Sequence, residues 1–198
     1  MEPSLKRTTP PELWVLVGGN GSGKSTFYRQ FLAKHGLPLV NADQIAARFF
    51  PDNPEANSYE AALLAARERD RILTCGQSFC YETVFSHPSK VDFIAKAKAH
   101  GYVIKVFAFH VEHADLNLAR ISQRIREGGH SVPEDKVRSR IPRTLKHIQA
   151  ATPLCDEVYL FDNSSAEHPY QLVAAYRTHR WDQITPTLPA WASTLVET

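Results

Sequence analysis

Gly18-Gly19-Asn20-Gly21-Ser22-Gly23-Lys24-Ser25-Thr26 is the stretch whose reading decides the fold. It holds GxxxxGK[ST] in full, at Gly18, Gly23, Lys24 and Ser25. The apolar run Leu13-Trp14-Val15-Leu16-Val17 stands before it, and the amphipathic Phe27-Tyr28-Arg29-Gln30-Phe31-Leu32 follows. Strand, glycine loop and helix in that order form a phosphate cradle. Glycines let successive backbone N–H groups turn inward around phosphate oxygens, and the helix start adds partial positive charge. The motif therefore predicts a nucleoside triphosphate lined by Gly19, Asn20, Gly21, Ser22, Gly23 and Thr26. Lys24 would reach the β- and γ-phosphates, and the Ser25 hydroxyl would bind Mg²⁺. An ordinary Gly/Ser turn requires neither the full spacing nor both flanks.

The rest of the chain sets bounds around that loop. Its 198 residues suit a single α/β domain with a sizeable core. A hydrophobic share of 43% and a charged share of 22% are ordinary for a globular protein. The formal net charge of +2 is too small to imply a nucleic-acid coat. No apolar run reaches the ~20 residues of a membrane span, and Met1 to Pro11 has no apolar signal core. Cys75, Cys80 and Cys155 make an odd set without a CxxC pair, so reduced, partly buried thiols are expected. Together these bounds point to the cytoplasm.

Apolar runs of strand length alternate with helical patterns. Strands are predicted near Trp14–Val17, Leu37–Val40, Ser78–Glu82, Tyr102–Phe109 and Glu157–Phe161. Helices are predicted over Lys24–His35, Glu55–Thr74, Pro88–His100, Ala114–Glu127 and Glu134–Ala150, with a short helical piece after Asp43. This alternation predicts a P-loop NTPase three-layer αβα sandwich around a mainly parallel sheet of about five or six strands. The tail from Pro169 reads as a final strand or short helix covering the core. Ligands of such sheets bind beyond the carboxyl ends of the strands. Polar residues stand where those ends should fall: Asn41-Ala42-Asp43, Glu82-Thr83 and Asp162-Asn163-Ser164-Ser165.

Phosphoryl transfer needs positioning, charge neutralisation and a group that orients the nucleophile. Asp43 is the candidate for that last role, by accepting a hydroxyl proton or helping to hold Mg²⁺. The alternative is a helix N-cap before Gln44-Ile45-Ala46-Ala47. Glu82 and Thr83 could recognise a substrate hydroxyl or amide, or else cap a turn before Pro88. Asp162 ends the run Val158-Tyr159-Leu160-Phe161, which imitates a metal-binding strand. Its late position argues instead for a loop, with Asn163, that borders the nucleotide base. Between Arg120 and His147 stand Arg120, Arg124, Arg126, Lys136, Arg138, Arg140, Arg143 and Lys146, interrupted by Gly128-Gly129-His130. A helix, a glycine hinge and a second arginine-rich helix describe a lid closing over phosphates. A solvated charged face or an RNA-binding patch are the alternatives. His100, His110, His113 and His147 show no ligand spacing.

GGNGSGKST, VNADQIA (40–46), FCYETVFS (79–86), RIREGGHSVPEDKVRSRIPRTL (124–145) and VYLFDNS (158–164) together resemble the zeta-toxin-like P-loop kinases. The resemblance runs from Leu13 to Ser165. It implies an ATP- and Mg²⁺-dependent kinase of a small-molecule hydroxyl, with UDP-N-acetylglucosamine the acceptor in zeta toxins and an antitoxin as protein partner. It further implies Asp43 as general base, Lys24 as phosphate clamp, and Glu82-Thr83 at the substrate. Arg124 and Arg140 would stabilise the transferring charge, followed by Arg120 on the nucleotide side and Arg143 on the substrate side. Two other functions fit parts of the sequence. One is a polynucleotide 5′-hydroxyl kinase, against which the weak net charge stands. The other is an ATP-binding regulatory module with little catalysis.

Overall fold

The computed structural model describes residues 9–127 and 131–197. A seven-stranded sheet runs in the order β2-β3-β1-β4-β5-β6-β7. Its strands are β1 (Glu12–Gly18), β2 (Leu39–Asn41), β3 (Phe79–Thr83), β4 (Val103–His110), β5 (Glu157–Asp162), β6 (Gln171–Arg177) and β7 (Arg180–Gln183). The first five pair in parallel, and β6 and β7 pair antiparallel to close one edge.

Parallel strands buried on both faces read as nearly continuous apolar runs, and alternate residues divide between two cores. On β1, Leu13, Val15 and Val17 face the larger core, whereas Leu16 faces the smaller. On β4 the division falls between Ile104, Val106 and Ala108 on one side and Phe109 on the other. The larger core is roofed by α3 (Ser58–Thr74), α4 (Ser89–Ala99), α6 (Glu134–Ala151) and α7 (Ala190–Val196). The smaller lies under the helix that follows the phosphate loop, through Phe27 and Leu32. That helix starts as α1 (Lys24–Phe27) and continues as a π-helical turn (Tyr28–Leu32) and a 3-10 turn (Ala33–His35). It ends at Gly36, whose φ of 69° stops helix propagation. Two further helices, α2 (Ala42–Phe49) and α5 (Ala114–Arg126), stand at the strand ends.

The predicted strand count of five or six is corrected to seven, because the tail forms a hairpin. Leu172-Val173-Ala174-Ala175-Tyr176 supplies the apolar run of β6. The turn to β7 places both Thr178 and His179 at positive φ, 50° and 61°. Asn-Gly or Asp-Gly normally marks that turn, and here neither is present. The helix α7 then adds Trp191, Ala192 and Leu195 to the larger core. Helix α6 continues through Pro142. Proline cannot donate to the preceding turn, so it loses one intrahelical hydrogen bond there.

Candidate active site

The loop between β1 and α1 is shaped by positions that tolerate no side chain. Gly23 has φ +99°, and a Cβ there would lie 2.4 Å from the Asn163 Nδ2. Gly18 has φ +152°, and a Cβ would lie 2.3 Å from the Phe109 carbonyl oxygen. Neighbouring side chains fix the loop from outside. Asn117 of α5 donates to the Asn20 carbonyl at 2.7 Å, and Asn163 donates to the Ser22 carbonyl at 2.9 Å. Tyr170 donates to the Gly23 carbonyl at 3.2 Å, and Arg140 of α6 donates to the Asn20 Oδ1 at 3.2 Å. The loop carbonyls of Asn20, Ser22 and Gly23 are thus occupied from outside.

Inside the loop Lys24 is 7% exposed, and its ammonium donates to the Gly19 carbonyl at 3.0 Å. Burial holds its pKa below the ordinary lysine value. The carboxylates of Glu82 and Asp43 oppose that shift, and the Arg124 charge adds to it. The Ser25 hydroxyl donates to Glu82 Oε1 at 2.6 Å, and Asn41 donates to Glu82 Oε2 at 2.8 Å. Strand register explains the meeting. β3 lies beside β1, bringing Glu82 level with the start of the phosphate loop, and β2 sets Asn41 opposite Glu82.

These contacts revise the sequence expectations at two points. The N-cap of α2 is Asn41, whose Oδ1 accepts from Asp43 N at 2.8 Å and Gln44 N at 3.3 Å. Asp43 therefore sits in the first turn and lines the cleft instead of capping the helix. Glu82 lines the cleft with both carboxylate oxygens already engaged, one by Ser25 and the other by Asn41. Thr83 lines the cleft, and its hydroxyl accepts from Phe85 N at 3.1 Å, which is the turn-capping alternative.

The cleft has a volume of about 1070 Å³. Asn20, Gly21, Gly23, Lys24, Ser25 and Thr26 form its phosphate end, whereas Gly19 and the buried Ser22 do not line it. Arg120, Arg124 and Arg140 face the same space. One guanidinium nitrogen of Arg120 donates to the Asn163 carbonyl at 2.9 Å, and the other is buried without a partner. Asn163 also borders the cleft, and its Oδ1 accepts from Tyr170 N at 3.2 Å. Arg143 is not brought in. It stands off the row formed by Lys136 and Arg140, is exposed, and turns back to bond Ser139 of its own helix. Asp162 serves the tail, accepting from the Trp191 indole at 2.8 Å. Gly128-Gly129-His130, the expected hinge, lies outside the described residues. After it in the chain, Ser131 N donates to Glu55 Oε1 at 2.7 Å, and Arg138 ties α6 to Asp115 of α5.

Asn117, Tyr170 and Arg69 are cleft or loop residues that the sequence reading missed. Asn117 had no clear signal, since it falls in the first turn of α5, where asparagine is ordinary. Tyr170 and Arg69 had none.

The residues present suit a polyphosphate. A buried ammonium bonded only to its own loop and an orphaned buried guanidinium nitrogen both await anionic oxygens. Ser25 and Glu82 supply hard oxygen donors of the kind Mg²⁺ takes alongside phosphate oxygens and water. Among the described residues no three His, Cys, Asp or Glu side chains cluster as a metal site of their own. Nor is any described helix long and apolar enough to cross a membrane.

Comparison with known proteins gives the same fold. The chain is 18% identical to a chain of the AvrRxo1-ORF1:-ORF2 complex solved with ATP, with a TM-score of 0.70. That match covers 89% of this chain and 61% of the other, so this chain spans about three-fifths of that neighbour. A chain of the PezAT chromosomal toxin–antitoxin system of Streptococcus pneumoniae matches with a TM-score of 0.65 at 12% identity. There the cover is 97% of this chain and 79% of the other. In sequence, an uncharacterized protein of Haemophilus influenzae is 30% identical over 136 residues, 65% of this chain and 96% of the relative. The model of the AAA domain family AAA_33 matches residues 13–148, from the first core residue of β1 to the buried Ile148 of α6. The chain belongs to the AAA_33 family of AAA domains and has a P-loop kinase-like fold.

Proposed function

We propose that this chain is a kinase that moves the γ-phosphoryl group of ATP onto a hydroxyl of a small molecule. One observation carries the reading: Lys24, Asp43, Glu82 and the guanidiniums of Arg120, Arg124 and Arg140 share one cleft. The cleft, about 1070 Å³, stands at the upper end of the roughly 300–1,000 Å³ usual for ligand sites.

The loop amides and Lys24 bind and orient the triphosphate. Ser25, with Glu82 behind it, would hold Mg²⁺, which when bound neutralises charge on the phosphates. The acceptor hydroxyl gives its proton to the Asp43 carboxylate as its oxygen bonds to the γ-phosphorus. The bond from that phosphorus to the bridging oxygen breaks, ADP carries away the electron pair, and a phosphomonoester remains. Arg124 and Arg140 donate to the equatorial oxygens as charge builds there. For Arg140 this means exchanging its bond to Asn20 for one to phosphate. Residues from about 120 to 147 act as the lid, and those from Pro169 cover the end of the sheet. The whole chain works as one domain.

The finer reading is a sugar nucleotide such as UDP-N-acetylglucosamine as acceptor, with an antitoxin as protein partner. Its support is the ordered set of motifs between Leu13 and Ser165 and the fold shared with a chain of a toxin–antitoxin system. The test is incubation with ATP, Mg²⁺ and a metabolite extract that includes UDP-sugars, followed by mass analysis. A metabolite heavier by one phosphoryl group is the expected result, and its identity decides the acceptor. A phosphorylated RNA 5′ end in place of a metabolite would turn the reading to polynucleotide repair.

A further inference from the structure

Arg69, on α3, is a buried cation without an anion. It is 6% exposed, it lines the cleft, and its Nε is buried with no hydrogen-bond partner. Among the described residues no carboxylate pairs with it. What it touches is aromatic: its guanidinium carbon lies 4.1 Å from the ring centre of Tyr81 and 4.6 Å from that of Phe93. Cation–π attraction offsets only part of the cost of taking a guanidinium out of water. Among the described residues none accepts a hydrogen bond from the Arg69 N–H groups, and the guanidinium fork matches a carboxylate or a phosphate.

Arg69 takes no part in holding the phosphate loop. The residues that clamp the phosphate loop (Asn117, Arg140, Asn163 and Tyr170) bond to the loop, and Arg120 bonds to Asn163. Arg69 bonds to none of them and is seated on β3 and α4. Tyr81 immediately precedes Glu82 and Thr83, the strand end that faces the site of transfer. The adjoining loop is held firmly. Phe85 keeps a φ of 66°, Thr144 of α6 donates to the Val84 carbonyl at 2.8 Å, and His147 bonds the Phe85 carbonyl at 3.0 Å. A non-glycine residue kept at positive φ beside a cleft marks a wall whose shape is imposed by its surroundings.

We propose that the phosphoryl acceptor bears an anionic group, a carboxylate or a phosphate, and that Arg69 is the side chain that receives it. This rests on the kinase reading for the word acceptor, whereas the anion site itself stands without it. The direct test is nuclear magnetic resonance of arginine Nε–H groups in the full chain, with the phosphate loop saturated by a non-hydrolysable ATP analogue. The Arg69 signal is assigned as the one absent from Arg69→Met and from Arg69→Lys. Acetate and inorganic phosphate are then titrated separately. A shift with acetate alone identifies a carboxylate site, a shift with phosphate alone a phosphate site, and no shift with either overturns the proposal.

Kinetics with the acceptor found by mass analysis supply the second arm. Arg69→Met should raise its KM on the order of 10-fold or more, with a smaller change in kcat and unchanged affinity for the ATP analogue. Its melting temperature should not fall, since an unpaired charge is removed; a marked fall would make Arg69 a structural residue and count against the proposal. A responsive Arg69 in a protein that phosphorylates nothing would sink the kinase reading and keep the anion site. Turnover of a neutral acceptor beside a silent Arg69 would do the reverse.

Discussion

The Ser25 hydroxyl and the Glu82 carboxylate, 2.6 Å apart, join the phosphate loop to the strand beside it. Because the two groups act through one contact, their losses should not add. Ser25→Ala and Glu82→Gln should each lower kcat/KM on the order of 10²-fold, and the double variant should be little worse than either. Losses that multiply would mean separate roles. Ser25 and Lys24 were legible from the motif alone. Their meeting with Glu82 was not, because it depends on β3 lying beside β1, and lateral strand order leaves no mark in local sequence. The thiols give a simpler check. Cys75 is exposed, while burial pushes the Cys155 thiol up to about 12 and the buried Cys80 thiol up as well. A thiol reagent should modify Cys75 at once in the native protein, and Cys80 and Cys155 only after unfolding.

Helix α6 carries the sharpest contrast between neighbouring side chains. Arg140 faces the cleft and touches Asn20, whereas Arg143 bonds its own helix in solvent. Arg140→Ala should lower the transfer rate by about 10²–10³-fold, the scale of one lost oxyanion donor. Arg143→Ala should change it less than about 2-fold, which separates the two in one assay. The charge run gave no means of choosing among its arginines, since the axial rotation of α6 is set by packing at Val137, Thr144 and Ile148. At the carboxyl end of β4, His110 stands beside Asp162 of β5, and its ring lies tilted against Trp191 of α7 with ring centres 4.7 Å apart. Burial lowers the His110 pKa from 6.5 to about 4, against the opposing pull of Asp162. The unfolded chain therefore binds a proton below pH 6.5 that the folded chain refuses, and stability falls as pH drops from about 6.5 toward 4. Between pH 7 and pH 5 the loss should be about 2 kcal/mol, a drop of roughly 4–8 °C in melting temperature. His110→Gln should flatten that dependence; an unchanged slope would place its origin elsewhere. The parallel strands were readable because they are apolar on both faces. The hairpin was not, since Thr178 and His179 adopt a turn that glycine or asparagine usually signals.

Across the whole molecule the net charge is only +2, yet the cleft is lined by Lys24, Arg29, Arg69, Lys90, Arg120, Arg124, Lys136 and Arg140. Asp43, Glu55, Glu82 and Glu127 are the acidic residues against them. Composition alone hid this concentration, because other acidic residues lie outside the cleft, some in exposed ion pairs such as Lys96–Asp70 and Arg71–Glu68. A cleft so charged attracts phosphates, and what distinguishes a kinase from a mere binder is the carboxylate at the start of α2. The most direct measurement follows γ-labelled ATP in the native protein and in Asp43→Asn, both at saturating nucleotide. The native protein should pass label to an organic hydroxyl, and Asp43→Asn should bind ATP as tightly while transferring about 10²–10⁴-fold more slowly. Label released only as inorganic phosphate, or transfer at equal rates in both proteins, would contradict the account.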